Sequence, residues 1–135
     1  MYTEGAMAKI LIIDDDPDIV ESMRIILESC RHTVTVAISG EEGLKAAGAA
    51  GYDLIILDVM METMSKGFEV ARSLRESGAN KAVPILLLTA IKESTGLDFE
   101  KEAGDKDWLP VDAYLEKPLK PNELLRKVES LLKGK

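Results

Sequence analysis

In the run Tyr52-Asp53-Leu54-Ile55-Ile56-Leu57-Asp58, four apolar residues stand together with no polar alternation. Such a run reads as a strand covered on both faces, as the central strands of parallel sheets are. Asp58 closes it. In open α/β sheets, ligand chemistry lies beyond the carboxyl ends of the strands. A carboxylate directly behind a buried run is costly unless something pairs with it, so the rest of the chain should hold the partner of Asp58.

Outward from this stretch, two further runs have the same character: Ile10-Leu11-Ile12-Ile13 and Ile85-Leu86-Leu87-Leu88. Shorter strands are expected at 33–37 and 111–115. Helices separate them. Asp16 suits an N-cap with Pro17 at the first helical position, and Ile19, Val20, Met23, Ile26, Leu27 and Cys30 then share one face. Ser39 with Glu42 predicts a capping box for a second helix, weakened by Gly43 and Gly48. A third helix is expected from near Gly67 to near Gly78, and a last one from Pro121 with Leu124, Leu125, Val128, Leu131 and Leu132 inward. Five strands alternating with helices imply an α/β fold, a doubly wound parallel sheet with right-handed crossovers and helices on both faces. The stretch 91–110 is a poor helix: Ser94, Thr95 and Gly96 open it, Gly104 breaks it and Pro110 closes it. An irregular fourth helix is expected there, short and near 97–103, followed by a loop anchored by Trp108.

A length of 135 residues with 46% hydrophobic residues fits one domain with a real core. Residues 1–8 are read as a disordered lead-in or as appended residues, with Met7 as an alternative start; the domain is placed at 9–133. The net charge of −7 argues against a nucleic-acid surface or an anionic membrane as partner. A single cysteine, Cys30, excludes an internal disulfide and suits a reducing compartment, so the cytoplasm is the expected location. No apolar run approaches the ~18 residues of a membrane span. His32, the one histidine, is expected at the surface at the start of a strand.

Four strand ends carry polar residues: Asp14, Asp15 and Asp16 after the first, Asp58 after the third, Thr89 after the fourth and Lys117 after the fifth. In a doubly wound sheet these share one edge. Clustered carboxylates repel; two unit charges ~4 Å apart cost ~4 kcal/mol at an effective dielectric of ~20. An all-oxygen set without His or thiolate suits Mg²⁺. Lys117 adds a point charge for a phosphoryl oxygen and Thr89 a hydroxyl donor. The set suits phosphoryl transfer to a carboxylate.

Lys9-Ile-Leu-Ile-Ile-Asp-Asp-Asp-Pro17, Tyr52-Asp-Leu-Ile-Ile-Leu-Asp-Val-Met-Met61, Leu86-Leu-Leu-Thr-Ala90 and Tyr114-Leu-Glu-Lys-Pro118, in this order, resemble the response-regulator receiver domain of two-component signalling. The resemblance runs from about Lys9 to Leu132. It implies a flavodoxin-like five-stranded sheet of order 2-1-3-4-5, as in chemotaxis regulators. It implies that Asp58 is the phosphoacceptor. Asp15, Asp58 and the Met60 backbone carbonyl would bind Mg²⁺ directly, with Asp14 acting through water. Thr89 and Lys117 would hold the phosphoryl group, Thr89 and Tyr114 would form the switch, and the Lys117–Pro118 bond would be cis. Met60 and Ile91 occupy positions where fast-hydrolysing receivers carry polar side chains, so slow loss of phosphate is expected. The implied donor is a sensor histidine kinase or phosphotransfer protein, and the implied recipient an unidentified downstream protein. The chain is read as a signalling module rather than an enzyme, either stand-alone or excised from a longer protein. The competing reading is a small haloacid-dehalogenase-type phosphatase, with Asp14 as nucleophile and Asp16 as acid/base.

Overall fold

The structure is a computed structural model that describes residues 7–58, 64–76 (side chains from Glu69), 82–89, 111–117 and 119–133. The expected strands are present as β1 (Lys9–Ile13), β2 (Thr33–Ala37), β3 (Leu54–Asp58), β4 (Ile85–Thr89) and β5 (Ala113–Glu116). All pair in parallel, in the order β2-β1-β3-β4-β5. Four described helices, α1 (Pro17–Ser29), α2 (Gly40–Ala49), α3 (Met64–Glu76) and α4 (Pro121–Lys133), cover the sheet. The flavodoxin-like doubly wound architecture follows from this order. The irregular fourth helix expected within 91–110, Trp108 with it, lies outside the described residues, as do Met60, Ile91 and Pro118.

Alternation along the strands sorts the core into two layers. Ile10, Ile12, Leu54, Ile56, Leu86 and Leu88 face Val20, Met23 and Leu27 of α1 and Leu124 and Val128 of α4. Leu11, Ile13, Ile55, Leu57, Ile85 and Leu87 face the other layer, Ala47 of α2 and Val70, Ala71 and Leu74 of α3. β3 and β4 are buried along their whole length, as the unbroken apolar runs require.

Register is pinned at the amino ends of the strands by one device used twice. Asp53, just before β3, accepts the Lys9 N–H on Oδ2 at 2.8 Å and donates its own N–H to the Lys9 carbonyl. Asp112, just before β5, does the same to Ile85: its Oδ2 accepts the Ile85 N–H at 2.8 Å and its N–H reaches the Ile85 carbonyl. Arg75 of α3 then donates to Asp112 Oδ2 at 2.8 Å and to the Val83 carbonyl at 2.7 Å, clipping helix to sheet. The ladder also reaches upstream of β1, because the Ala8 carbonyl accepts the Thr33 N–H.

Local signals held at both predicted caps. Asp16 accepts from the Asp18 and Ile19 N–H groups, with Pro17 opening α1. Ser39 accepts the Glu42 N–H, while the Glu42 carboxylate accepts the Ile38 N–H, one residue beyond the Ser39 N–H of a strict capping box. Two expectations need correction. α3 begins at Met64, three residues before Gly67, and ends at Glu76. His32 is buried, at 3% exposure, not on the surface. The end of α1 explains this: the His32 N–H bonds the Leu27 carbonyl and the Arg31 N–H bonds the Glu28 carbonyl, the Schellman pattern, with Arg31 at φ 70°. That turn folds the His32 ring inward. The sequence hid it, since the left-handed position carries arginine instead of glycine.

Two measurements follow from this turn. A left-handed conformation costs a non-glycine residue roughly 1–2 kcal/mol, so Arg31→Gly should raise the unfolding free energy by about 1 kcal/mol in a denaturant titration. An unchanged midpoint would show that Arg31 carries no such strain. Burial lowers the His32 pKa below 6.5, against an opposing pull from Glu129. The unfolded chain then binds the extra proton first, so His32 makes stability fall as pH drops below 6.5. His32→Gln should flatten that part of the stability–pH curve.

Candidate functional site

The strand ends converge as the topology requires. Ile13 pairs with Leu57, and Asp58 with Leu88, so Asp14 and Asp58 leave neighbouring strands at the same level. Thr89 pairs with Glu116, and the Lys117 N–H bonds the Thr89 carbonyl at 2.8 Å. This places the lysine over the same edge. Its ammonium lies 3.2 Å from Asp58 Oδ2 and 3.7 Å from Asp14 Oδ2. The partner demanded by the buried Asp58 is therefore Lys117.

Asp14 and Thr89 are fully buried and Asp58 is 3% exposed, whereas Asp15 is exposed. Carboxylate oxygens of Asp14, Asp15 and Asp58 lie within 4.8 Å of one another. Asp14 Oδ1 accepts the Asp16 N–H at 3.0 Å, but its Oδ2 accepts no hydrogen bond among the described residues, and neither does Thr89 Oγ1. Three carboxylates against one ammonium leave the edge short of two positive charges when all are ionised. Burial, which outweighs the Asp16 N–H, and then the Asp58 charge raise the Asp14 pKa from 3.8 to about 7. An Asp14 oxygen that accepts no hydrogen bond among the described residues, a deficit of two positive charges and a purely oxygen donor set fit a hard divalent cation at Asp14, Asp15 and Asp58.

The predicted residues divide clearly. Asp14, Asp15, Asp58 and Lys117 come together, and Thr89 ends the neighbouring strand at the same edge; Met60 and Pro118 lie outside the described residues. Tyr114 pairs with Leu87, so it shares a sheet face with Thr89, one pleat further from the edge. Its ring has the Lys127 ammonium 6.0 Å from its centroid. Sequence reasoning missed Lys127, whose spacing from Tyr114 carries no signal until α4 packs back on β5. Asp16 is drawn away from the cluster because its carboxylate caps α1.

A family model described as the response regulator receiver domain matches residues 10–129. The chain belongs to the response-regulator receiver family. Among its relatives, the transcriptional regulatory protein ResD of Bacillus subtilis is 38% identical over 125 residues, covering 93% of this chain and 48% of ResD. Protein PilH of Pseudomonas aeruginosa is 30% identical over 128 residues, covering 95% of this chain and all of PilH. The receiver thus spans about half the length of ResD and the full length of PilH. Among solved structures, the chemotaxis response regulator CheY4 of Vibrio cholerae superposes with a TM-score of 0.79 at 33% identity, covering 93% of this chain and 98% of that one. A receiver domain is the part of a two-component system that takes a phosphoryl group onto an aspartate. The phosphatase alternative is not supported. Its proposed acid/base, Asp16, is committed to the α1 cap, and it leaves the buried Asp58 unexplained.

The raised Asp14 pKa sets a pH test. Asp14 holds its proton in the folded state well above its unfolded value, so its favourable contribution is complete below pH 3.8 and is lost as pH rises toward about 7. In cation-free buffer at pH 7, Asp14→Asn should stabilise the receiver by about 1–2 kcal/mol, the scale of one poorly satisfied buried polar group. The gain should shrink toward pH 4. A loss of stability at pH 7 would show that the Asp14 carboxylate is well satisfied without a cation.

Proposed function

We propose that Asp58 is the phosphoacceptor, with a phosphohistidine on a sensor histidine kinase or phosphotransfer protein as donor. The observation that carries this is the buried Asp58 carboxylate 3.2 Å from the Lys117 ammonium, at the edge it shares with Asp14 and Asp15. An oxygen of Asp58 attacks phosphorus, the P–N bond breaks, and its electron pair returns to the imidazole nitrogen. Lys117 holds an oxygen of the moving group and Thr89 offers its hydroxyl to another. Asp15 and Asp58, joined by the Met60 carbonyl, would hold Mg²⁺ directly, with Asp14 through water. The cation would supply positive charge to the transferring group and lift the repulsion among the carboxylates.

The output is a changed protein-contact surface near Tyr114, read by a downstream protein, and no nucleic-acid contact is assigned to this part of the chain. Thr89 and Tyr114 share a face, so drawing the Thr89 hydroxyl toward a phosphoryl oxygen opens space on the side where the Tyr114 ring lies. The Lys117–Pro118 bond is read as cis from the family resemblance. No helix among the described residues is long and apolar enough to cross a membrane.

Incubation with acetyl phosphate and Mg²⁺ should add one phosphoryl group, seen by intact mass and lost in mild base as an acyl phosphate. Asp58→Asn should abolish it, and Asp15→Asn should weaken Mg²⁺ binding at least about tenfold. Full phosphorylation of Asp58→Asn would place the acceptor elsewhere. Wild-type Mg²⁺ affinity in Asp15→Asn would remove that ligand from the set.

A further inference from the structure

Gly43 lies buried in α2, and its backbone rests on Ile13. A Cβ at this position would lie 2.5 Å from Ile13 Cδ1, 2.8 Å from Cγ1 and 2.9 Å from Cγ2. Turning the terminal methyl relieves only the first contact. Cγ1 and Cγ2 both leave the branched Cβ of Ile13, which is wholly buried between Ala37 and Leu57 on the flanking strands. Relief therefore requires the end of β1 or the helix to move. Gly48, on the same helix, has nothing within 4 Å of where its Cβ would stand. Helix propensity favours Ala over Gly by ~1 kcal/mol at both positions, so only packing sets Gly43 apart.

The residue that Gly43 presses on is the one that carries Asp14. The Asp14 N–H is tied to the Ala37 carbonyl at 3.0 Å and its Oδ1 to the Asp16 N–H, so a shift of Ile13 passes into the acidic edge. Mg²⁺ demands near-ideal octahedral geometry at ~2.0–2.1 Å, which makes a displacement of a few tenths of an ångström matter. We propose that Gly43 and Ile13 are a matched pair that sets the position of Asp14 and Asp15. Gly43 is a positioning residue for the metal site, acting through Ile13. The inference rests on the reading of the acidic edge as an Mg²⁺ site.

The two halves of the pair make a closed cycle. Gly43→Ala overfills the contact, Ile13→Val empties it by removing Cδ1, and the double variant refills it. Titration calorimetry with MgCl₂ alone gives the affinity, and thermal unfolding without Mg²⁺ gives the stability, on samples shown folded by circular dichroism. Gly48→Ala is the control; it should raise the melting temperature and leave Mg²⁺ affinity unchanged. Each variant of the pair should weaken Mg²⁺ binding at least about threefold, and the double variant should return to within about twofold of wild type, the scale of coupling between residues in contact. Wild-type affinity in either folded single variant overturns the proposal, as does a double variant that loses the product of the two single effects. Should Gly43→Ala fail to fold, the test rests on Ile13→Val and the double variant; a double that binds more weakly than Ile13→Val overturns it. A wild-type protein that binds no Mg²⁺ removes the metal-site reading itself.

Discussion

The ammonium of Lys117, 3.2 Å from Asp58 and 3.7 Å from Asp14, is the contact on which the carboxyl edge of this sheet depends. Without it, two nearly inaccessible carboxylates would face each other across neighbouring strands. The ion pair alone does not satisfy them: Asp14 keeps an oxygen that accepts no hydrogen bond among the described residues, and burial pushes its pKa to about 7. The edge is electrostatically unfinished, and a divalent cation would complete it. A buried pair of this kind is weak evidence for stability. Here its position at the strand ends, with Thr89 beside it, points to chemistry.

An unfinished edge has to be held by something else, and the opposite end of the sheet does this. Asp53 and Asp112 each close a two-bond ring on the first residue of the adjacent strand, and Arg75 ties α3 to the second ring. These side chains extend the ladder where it would fray. They also fix register, and register decides function here. A slip of one residue between β4 and β5 would move Lys117 off the level of Thr89 and reverse the faces of the apolar side chains. Stability is thus concentrated at the amino ends of the strands and chemistry at the carboxyl ends.

The fold was legible because its signals are redundant. A run such as Ile85-Leu86-Leu87-Leu88 has few readings other than a strand buried on both faces, and three such runs, each ending in a polar residue, define the edge. The site was legible for the same reason: Asp14, Asp58, Thr89 and Lys117 each follow or close a strand. What escaped depends on contacts between segments. The burial of His32 follows from a helix-ending turn whose left-handed residue is Arg31, so the usual glycine signal is missing. Gly43 reads in sequence as a weak point in α2; only against Ile13 does it become a close approach. The three consecutive aspartates look alike on the page, yet one is buried in the cluster, one is exposed beside it and one caps α1.

That division of labour among Asp14, Asp15 and Asp16 follows from the point where strand gives way to helix. Ile13 is the last residue of β1, and the Asp14 N–H still bonds the Ala37 carbonyl of β2, so Asp14 stands beside Asp58 and is buried with it. Asp16 must be free to meet the first N–H groups of α1, which turns its carboxylate away. Asp15, between them, is left facing solvent at the mouth of the cluster. The Asp16 N–H returns to Asp14 Oδ1, so the cap that starts the helix also fixes the buried carboxylate. Helix initiation and site geometry are thereby one structure. Any change that moves the start of α1 moves Asp14 as well, and the cluster cannot be loosened without loosening the first turn of the helix.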